Sequence, residues 1–396
     1  MADDRKQQPT HGVGRRVRTV RKLAGLTQEQ LANRAHVSPS LVAGVEQGRL
    51  PASPSFVAST ARALRVSVTD LYEDSTPRYG TERAGVAELE TAVMAGSALA
   101  SDEPVGSLDV LAARSTELLT ARKLSQYDRL AVMVPALLED AHTAVAHSTE
   151  PDTRRALGIL AETYGHALVV LYRLGSDVAA QAADAGRRAA DDAQDPVLGS
   201  AITVDGCLPL LQRGAYSTVA TLTDRSRAML DGHPDDVDGL SVRGFAHLRS
   251  AIVAARTGDA TTSADHLAEA RICAEHVPNG TDVHGTSFNT DNVVMHSVAA
   301  AVEAGDGTEA LRRRAPLGKH VTPSRLAHHH IDLARAHLLR GDRDHTLSAL
   351  NAARATAPQL TRYHAQVSET VRVLAETDRR RSADLAAFAH WAGIAV

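Results

Sequence analysis

Five glycines recur along the chain, each closing an apolar run: "LVVLYRLGSD", "LPLLQRGAYS", "AIVAARTGDA", "SVAAAVEAGDG" and "RAHLLRGDRD". They are Gly175, Gly214, Gly258, Gly305 and Gly341, separated by 39, 44, 47 and 36 residues. A glycine just past a helix supplies the left-handed turn that ends it. In four of the five runs an Asp or Ser follows closely, where it can cap the next helix. Periods of this length belong to helical hairpins, which bury their apolar faces by stacking into a solenoid. After residue 83 no segment alternates apolar and polar residues as a half-buried strand would. Aromatic residues make up only 3% of the 396-residue chain, so the core must be built from Ala, Leu and Val. The fold class expected is all-α.

The first 73 residues read differently. "GRRVRTVRKLAG" places Val13, Val17, Val20 and Leu23 on one helical face, with Arg15, Arg16, Arg18, Arg21 and Lys22 around the rest. In "LTQEQLANRA", Thr27 and Gln30 have the spacing of a capping box. "HVS" makes a turn, Ser38 caps a new helix with Pro39 at its first position, and Gly48 stops that helix. "SPSFVASTARAL" and "SVTDLYE" add two short helices, giving five. "EDSTPRYGTERAG" mixes Pro, Gly, Ser and charge without periodicity and marks a boundary. The chain is thereby divided into a head over residues 1–73, a linker over 74–85 and a helical body over 86–396.

Charge follows the same division. Residues 1–78 carry 12 Lys/Arg and 7 Asp/Glu, and the remainder carries 31 and 40, within a net charge of −4. A basic head on an acidic body confines any nucleic-acid contact to the head.

At "TQEQLANRAHVSPSLVAGVEQG" the head resembles the phage-repressor (XRE/Cro-like) helix-turn-helix family over residues 12–73. The resemblance implies double-stranded DNA as partner. It implies that Gln28 holds a phosphate, while Ser38, Pro39, Ser40, Ala43 and Gly44 face the major groove. Pro39, Ala43 and Gly44 carry no hydrogen-bonding side chain, so the bidentate reading of bases by Arg or Gln is absent from these positions. Phosphate contacts from Gln28, Arg15, Lys22 and Arg49, with DNA shape, would supply the rest. Gly44 is expected to tolerate alanine, or to permit close approach of the backbone to DNA.

The last hairpin, "RLAHHHIDLARAHLLRGDRDHTLSALNAARATAP", resembles the tetratricopeptide repeat, with Leu333 and Ala334 before the turn and Leu350, Ala353 and Pro358 after it. Asp184 and Arg187 depart from that pattern in an earlier unit. In such repeats the positions nine and thirteen residues before each turn glycine face a concave groove. There stand His166, Asp205, Arg249, His296 and Asp332, and further back Asn292 and His328. This polar row suits an extended peptide, whose backbone groups need partners along its length. Head and body together resemble the XRE/tetratricopeptide regulators of actinobacteria and the peptide-responsive regulators of Gram-positive bacteria. The resemblance implies a homodimeric transcription factor whose DNA affinity responds to a signal in the groove, either a short peptide or a small molecule such as a butyrolactone; the alternative is an adaptor or antitoxin-like protein with a constitutive partner in the groove.

Other chemistries find little footing. "HHHIDLA" sets His328 and Asp332 four apart, but consecutive histidines diverge around a helix, so no metal site is expected. Phosphate-cradling and dinucleotide motifs are missing, and "HGTSF" lacks a nucleophile elbow. The expectation is a protein without catalysis or cofactor. Cys207 and Cys273 are the only cysteines. With no signal-peptide core in "MADDRKQQPTHG", a reducing cytoplasmic location without membrane attachment is expected.

Overall fold

The computed structural model describes residues 12–66, 68–71, 85–377 and 382–395. Among these, every regular element is a helix. The linker assigned to residues 74–85 lies, apart from Gly85, outside the described residues.

The head consists of α1 (Val13–Leu23), α2 (Gln28–Ala35), α3 (Pro39–Glu46), α4 (Pro54–Leu64) and α5 (Val68–Leu71). Its helix starts follow the local code. Thr27 Oγ1 accepts from the Gln30 N–H at 3.1 Å while Gln30 Oε1 accepts from the Thr27 N–H at 2.9 Å. Each thus satisfies an N–H with no partner within the helix. Ser38 accepts from the Leu41 N–H, and Ser53 accepts from the Phe56 N–H, each ahead of a proline at the first helical position. Leu31, Val42, Phe56, Val57 and Leu71 fill the core between these helices.

The body opens with α6 (Val86–Ala95), α7 (Leu108–Lys123) and α8 (Tyr127–His147). Five hairpins follow: α9 (Asp152–Arg173) with α10 (Ala179–Asp192), α11 (Pro196–Gln212) with α12 (Tyr216–Ala228), α13 (Val237–Thr257) with α14 (Ala260–Ala274), α15 (Thr290–Glu303) with α16 (Gly307–Arg312), and α17 (Pro323–Leu339) with α18 (Arg343–Thr356). Helices α19 (Pro358–Tyr363), α20 (Ala365–Thr377) and α21 (Ala383–Ala392) complete it. The five periodic glycines are the five hairpin turns. Their φ angles are 73°, 69°, 81°, 83° and 74°, a region closed to most side chains. Asp259, Asp306 and Asp342 follow three of them directly and cap the next helix through N–H bonds from Thr262, Glu309 and His345. Small residues such as Ala251, Ala255, Ala270 and Ala274 let paired helices approach closely.

The solenoid does not stay open. Asp128 on α8 accepts from Gln359 Nε2 at 2.8 Å and from Tyr363 Oη at 3.1 Å. Arg173 on α9 donates to His328 on α17 at 2.6 Å. The last units therefore return to the first, and the coil closes around a central chamber.

The head is built into this ring. Cys207, Leu211, Tyr216, Val219 and Val253 of the body share one apolar core with Val42, Phe56, Val57 and Leu71 of the head. Tyr216 Oη donates to the Pro54 carbonyl at 3.2 Å. At the head's other edge, Glu369, Arg372 and Glu376 of α20 border Gly12, Arg15 and Gly48. No helix among the described residues is long and apolar enough to cross a membrane.

Candidate functional site

A buried ion pair fastens the first helix of the head to the third. Arg21 on α1 donates through Nε and Nη2 to Glu46 on α3 at 2.5 and 2.8 Å, and through Nη1 to the Leu26 carbonyl at 2.7 Å. The hydrogen bond to Glu46 raises the Arg21 pKa further, burial acting against it. Gln28 joins this network, donating from Nε2 to Glu46 at 2.7 Å. One of its two amide protons is thus used inside the head, which leaves the other for a partner outside.

Ser38, Pro39 and Ser40 stand exposed at the start of α3, the two hydroxyls 3.1 Å apart. Lys22 and Arg49 are exposed, and Ala43 is half-buried. Gly44 corrects the sequence reading: it is buried rather than groove-facing. A Cβ there would lie 2.6 Å from Leu50 Cδ1, because Leu50 folds back over the end of α3. The glycine makes room for this packing contact. Arg15 stands half-buried in the seam with α20, beside Glu369 and Glu376.

The central chamber has a volume of about 350 Å³. Of the expected groove residues, Asp205, Arg249, Asn292, His296, His328 and Asp332 line it. Each sits on the first helix of its hairpin, at a fixed distance from the turn glycine. His166 does not line the chamber. It is buried behind the wall, and burial drops its pKa to about 4, Arg122 acting in the same direction and Glu162 and Asp205 against it. Asn292 is fully buried, its amide donating to the carbonyls of Thr286 at 3.3 Å and Ser287 at 2.9 Å, so it holds the loop before α15.

Two histidines of the chamber have their ring orientation set by backbone carbonyls. His296 Nδ1–H donates to the Asn292 carbonyl at 2.9 Å, leaving Nε2 as an acceptor. Burial takes its pKa to about 3, with Arg325 adding to the fall. His328 Nδ1–H donates to the Ser324 carbonyl, and its Nε2 accepts from Arg173. Both ring nitrogens of His328 are therefore engaged, and one carboxylate oxygen of Asp332 accepts from Arg335 at 3.1 Å. Among the described residues, His337, Asp342 and His345 at the α17–α18 turn are the group whose ligand atoms lie within 4.8 Å of one another.

Two further registers line the chamber that the sequence reading passed over. Six residues before the turn glycines stand Val169, Leu208, Ile252, Ala299 and Arg335; two before stand Arg173, Gln212, Arg256 and Glu303. Positions spaced by three, four and seven residues share one helix face, so these rows were legible from the rows already chosen. Glu303 accepts from Arg256 Nε at 3.0 Å and from Arg335 Nη1 at 2.8 Å. Burial alone would raise its pKa, but the two guanidiniums hold it at about 2. The head contributes Pro54 and Val68 to the same wall.

Comparison with known proteins agrees with this geometry at the head. Residues 13–73 match the family described as "Helix-turn-helix domain". The competence pilus inhibition repressor of Acinetobacter baylyi is 38% identical over 60 residues, which cover 15% of this chain and 54% of that repressor. The chain thus spans about half the length of this relative. No solved structure matches the chain. Residues 13–73 of this protein form a helix-turn-helix domain.

Proposed function

We propose that the protein is a cytoplasmic homodimeric transcription regulator, whose head (residues 1–73) binds double-stranded DNA and whose body (86–396), a tetratricopeptide-like solenoid, senses a ligand in the central chamber. The observation that carries the reading is the exposure of the α3 start. Ser38, Pro39 and Ser40 face outward, with Lys22 and Arg49 exposed on the same domain, while another side of the head is buried on the body. Backbone contacts to phosphates then set position, and the short polar residues of α3 read bases weakly. Two heads on a two-fold axis would double that limited information, with half-sites about 34 Å apart or a multiple of it.

Control follows from the shared wall. Pro54 and Val68 of the head border the chamber, so a bound molecule touches the DNA-binding domain itself. A ligand shifts DNA affinity by its differential affinity for the two arrangements of head and body. The closed ring favours a compact molecule over an extended peptide laid along an open groove.

Fluorescence anisotropy on duplexes from the protein's own promoter tests the DNA reading. Lys22→Ala and Arg49→Ala should each weaken binding on all sequences, and each should reduce the salt slope by roughly one. Binding that ignores salt, or variants that bind as the parent does, would overturn it.

A further inference from the structure

Three guanidiniums border the chamber without a carboxylate partner. Arg249 on α13 makes no hydrogen bond among the described residues; its Nε is sealed from solvent and it rests over the Phe245 ring at 5.5 Å. Arg325 on α17 lies over the same ring at 5.2 Å, and its protein acceptor is the Thr286 carbonyl at 2.8 Å. Arg173 donates to the neutral His328, and its own Nε is sealed and unpartnered.

The carboxylates of the chamber are engaged elsewhere. Asp205 pairs with Arg122 at 2.5 Å. Glu303 pairs with Arg256 and Arg335, and Asp332 with Arg335. Burial further pushes the Asp332 carboxyl up to about 6, despite Arg335. Burial also lowers Arg325 to about 10 and lowers Arg249, with Asp205 offsetting part of each change. Like charges held together in a low dielectric, with Asp205 as a nearby carboxylate already paired to Arg122, destabilise the empty protein. Apolar side chains, among them Leu208, Ile252 and Met295, also line the chamber.

We propose that the chamber binds an organic anion, whose carboxylate or phosphate group is clamped by Arg249, Arg325 and Arg173 while its apolar body lies against Leu208, Ile252 and Met295. This deepens the ligand-sensing reading and rests on it. Guanidinium forks match the paired oxygens of such groups. A neutral lactone supplies no counter-charge and leaves the three cations as they are.

The test uses the full chain and two fluorescent probes of the same shape, anilinonaphthalene sulfonate as the anion and phenylnaphthylamine as its uncharged counterpart. The sulfonate should bind saturably at one site per chain, and decanoate should displace it while decanamide does not. Arg249→Met with Arg325→Met should weaken the sulfonate roughly tenfold or more and leave the uncharged probe unaffected. Arg249→Lys should keep part of the affinity. Arg249→Met alone should raise the melting temperature of the ligand-free protein, since it removes an unpaired buried charge. Equal binding of the two probes, unchanged sulfonate affinity in the double variant, or no saturable sulfonate site would overturn the proposal. So would a melting temperature that falls in Arg249→Met, which would make Arg249 a structural group. Displacement by inorganic phosphate as strong as by decanoate would remove the apolar body from it. The sensing reading fails separately: anions that bind through the arginines yet never change DNA affinity would sink control while sparing the chamber chemistry.

Discussion

Gly44 shows how one residue changes meaning when its surroundings are known. From sequence it reads as a helical glycine on the reading face, where alanine would gain up to about 1 kcal/mol of helix propensity. In the structure Leu50 occupies the space a Cβ needs. Overpacking of this kind costs about 1–3 kcal/mol, so Gly44→Ala should lower stability by about 1 kcal/mol in chemical denaturation; a gain would show that Leu50 moves freely. Glu369 is a second case. Burial against the head pushes its carboxyl up from 4.5 to about 7, with Glu376 adding to the rise and Arg372 and the Ala52 N–H opposing it. A raised carboxyl favours the protonated folded state, so stability is highest below the unfolded value and is lost as pH rises through about 7. Glu369→Gln should therefore raise the melting temperature at pH 8, by the equivalent of about 1–3 kcal/mol, and change it little at pH 5. An equal effect at both pH values would count against this origin.

At the scale of elements, the head depends on a cross-brace. Arg21 and Glu46 are both buried, and together they fasten α1 to α3. Removing one partner of such a pair leaves the other charge buried and uncompensated, which costs about 3–5 kcal/mol. Glu46→Ala should thus unfold or loosen the head, visible as lost DNA binding together with lost helicity. A folded Glu46→Ala protein with normal melting would refute the brace. The hairpins of the body need no such device. Their turns are set locally by a glycine and an Asp cap, and their apolar faces are covered by neighbours on both sides.

The whole molecule behaves as one body rather than as a head on a tether. The apolar core that holds Phe56 and Leu71 also holds Cys207, Leu211 and Tyr216, so the head cannot unfold without exposing the centre of the ring. Calorimetry should show a single unfolding transition for the full chain. Two well-separated transitions would mean that the shared core contributes little. The same continuity makes Tyr216→Phe a probe of coupling. It removes the bond to the Pro54 carbonyl and should cost about 1 kcal/mol, with the response of DNA binding to ligand reduced more than ligand-free DNA binding.

The amino-acid order by itself determined the helices and their ends. Thr27 with Gln30, Ser38 with Pro39, and the five turn glycines act through bonds and dihedrals within a few residues, which a reader of sequence can follow. It also determined which helix face carries polar residues, since a register counted back from each glycine lands on the chamber wall at Asp205, Arg249, His296 and Asp332. The tertiary structure alone decided the rest. Closure of the ring through Asp128 and Tyr363 joins residues more than two hundred positions apart, and no local pattern announces such a contact. Seating of the head on α11–α13 turned an expected open groove into a chamber with two head residues in its wall. Burial and pairing, too, are long-range outcomes: they hid His166, engaged Asp205 with Arg122 and left Arg249 without a partner, because the dielectric around a charge depends on everything packed against it.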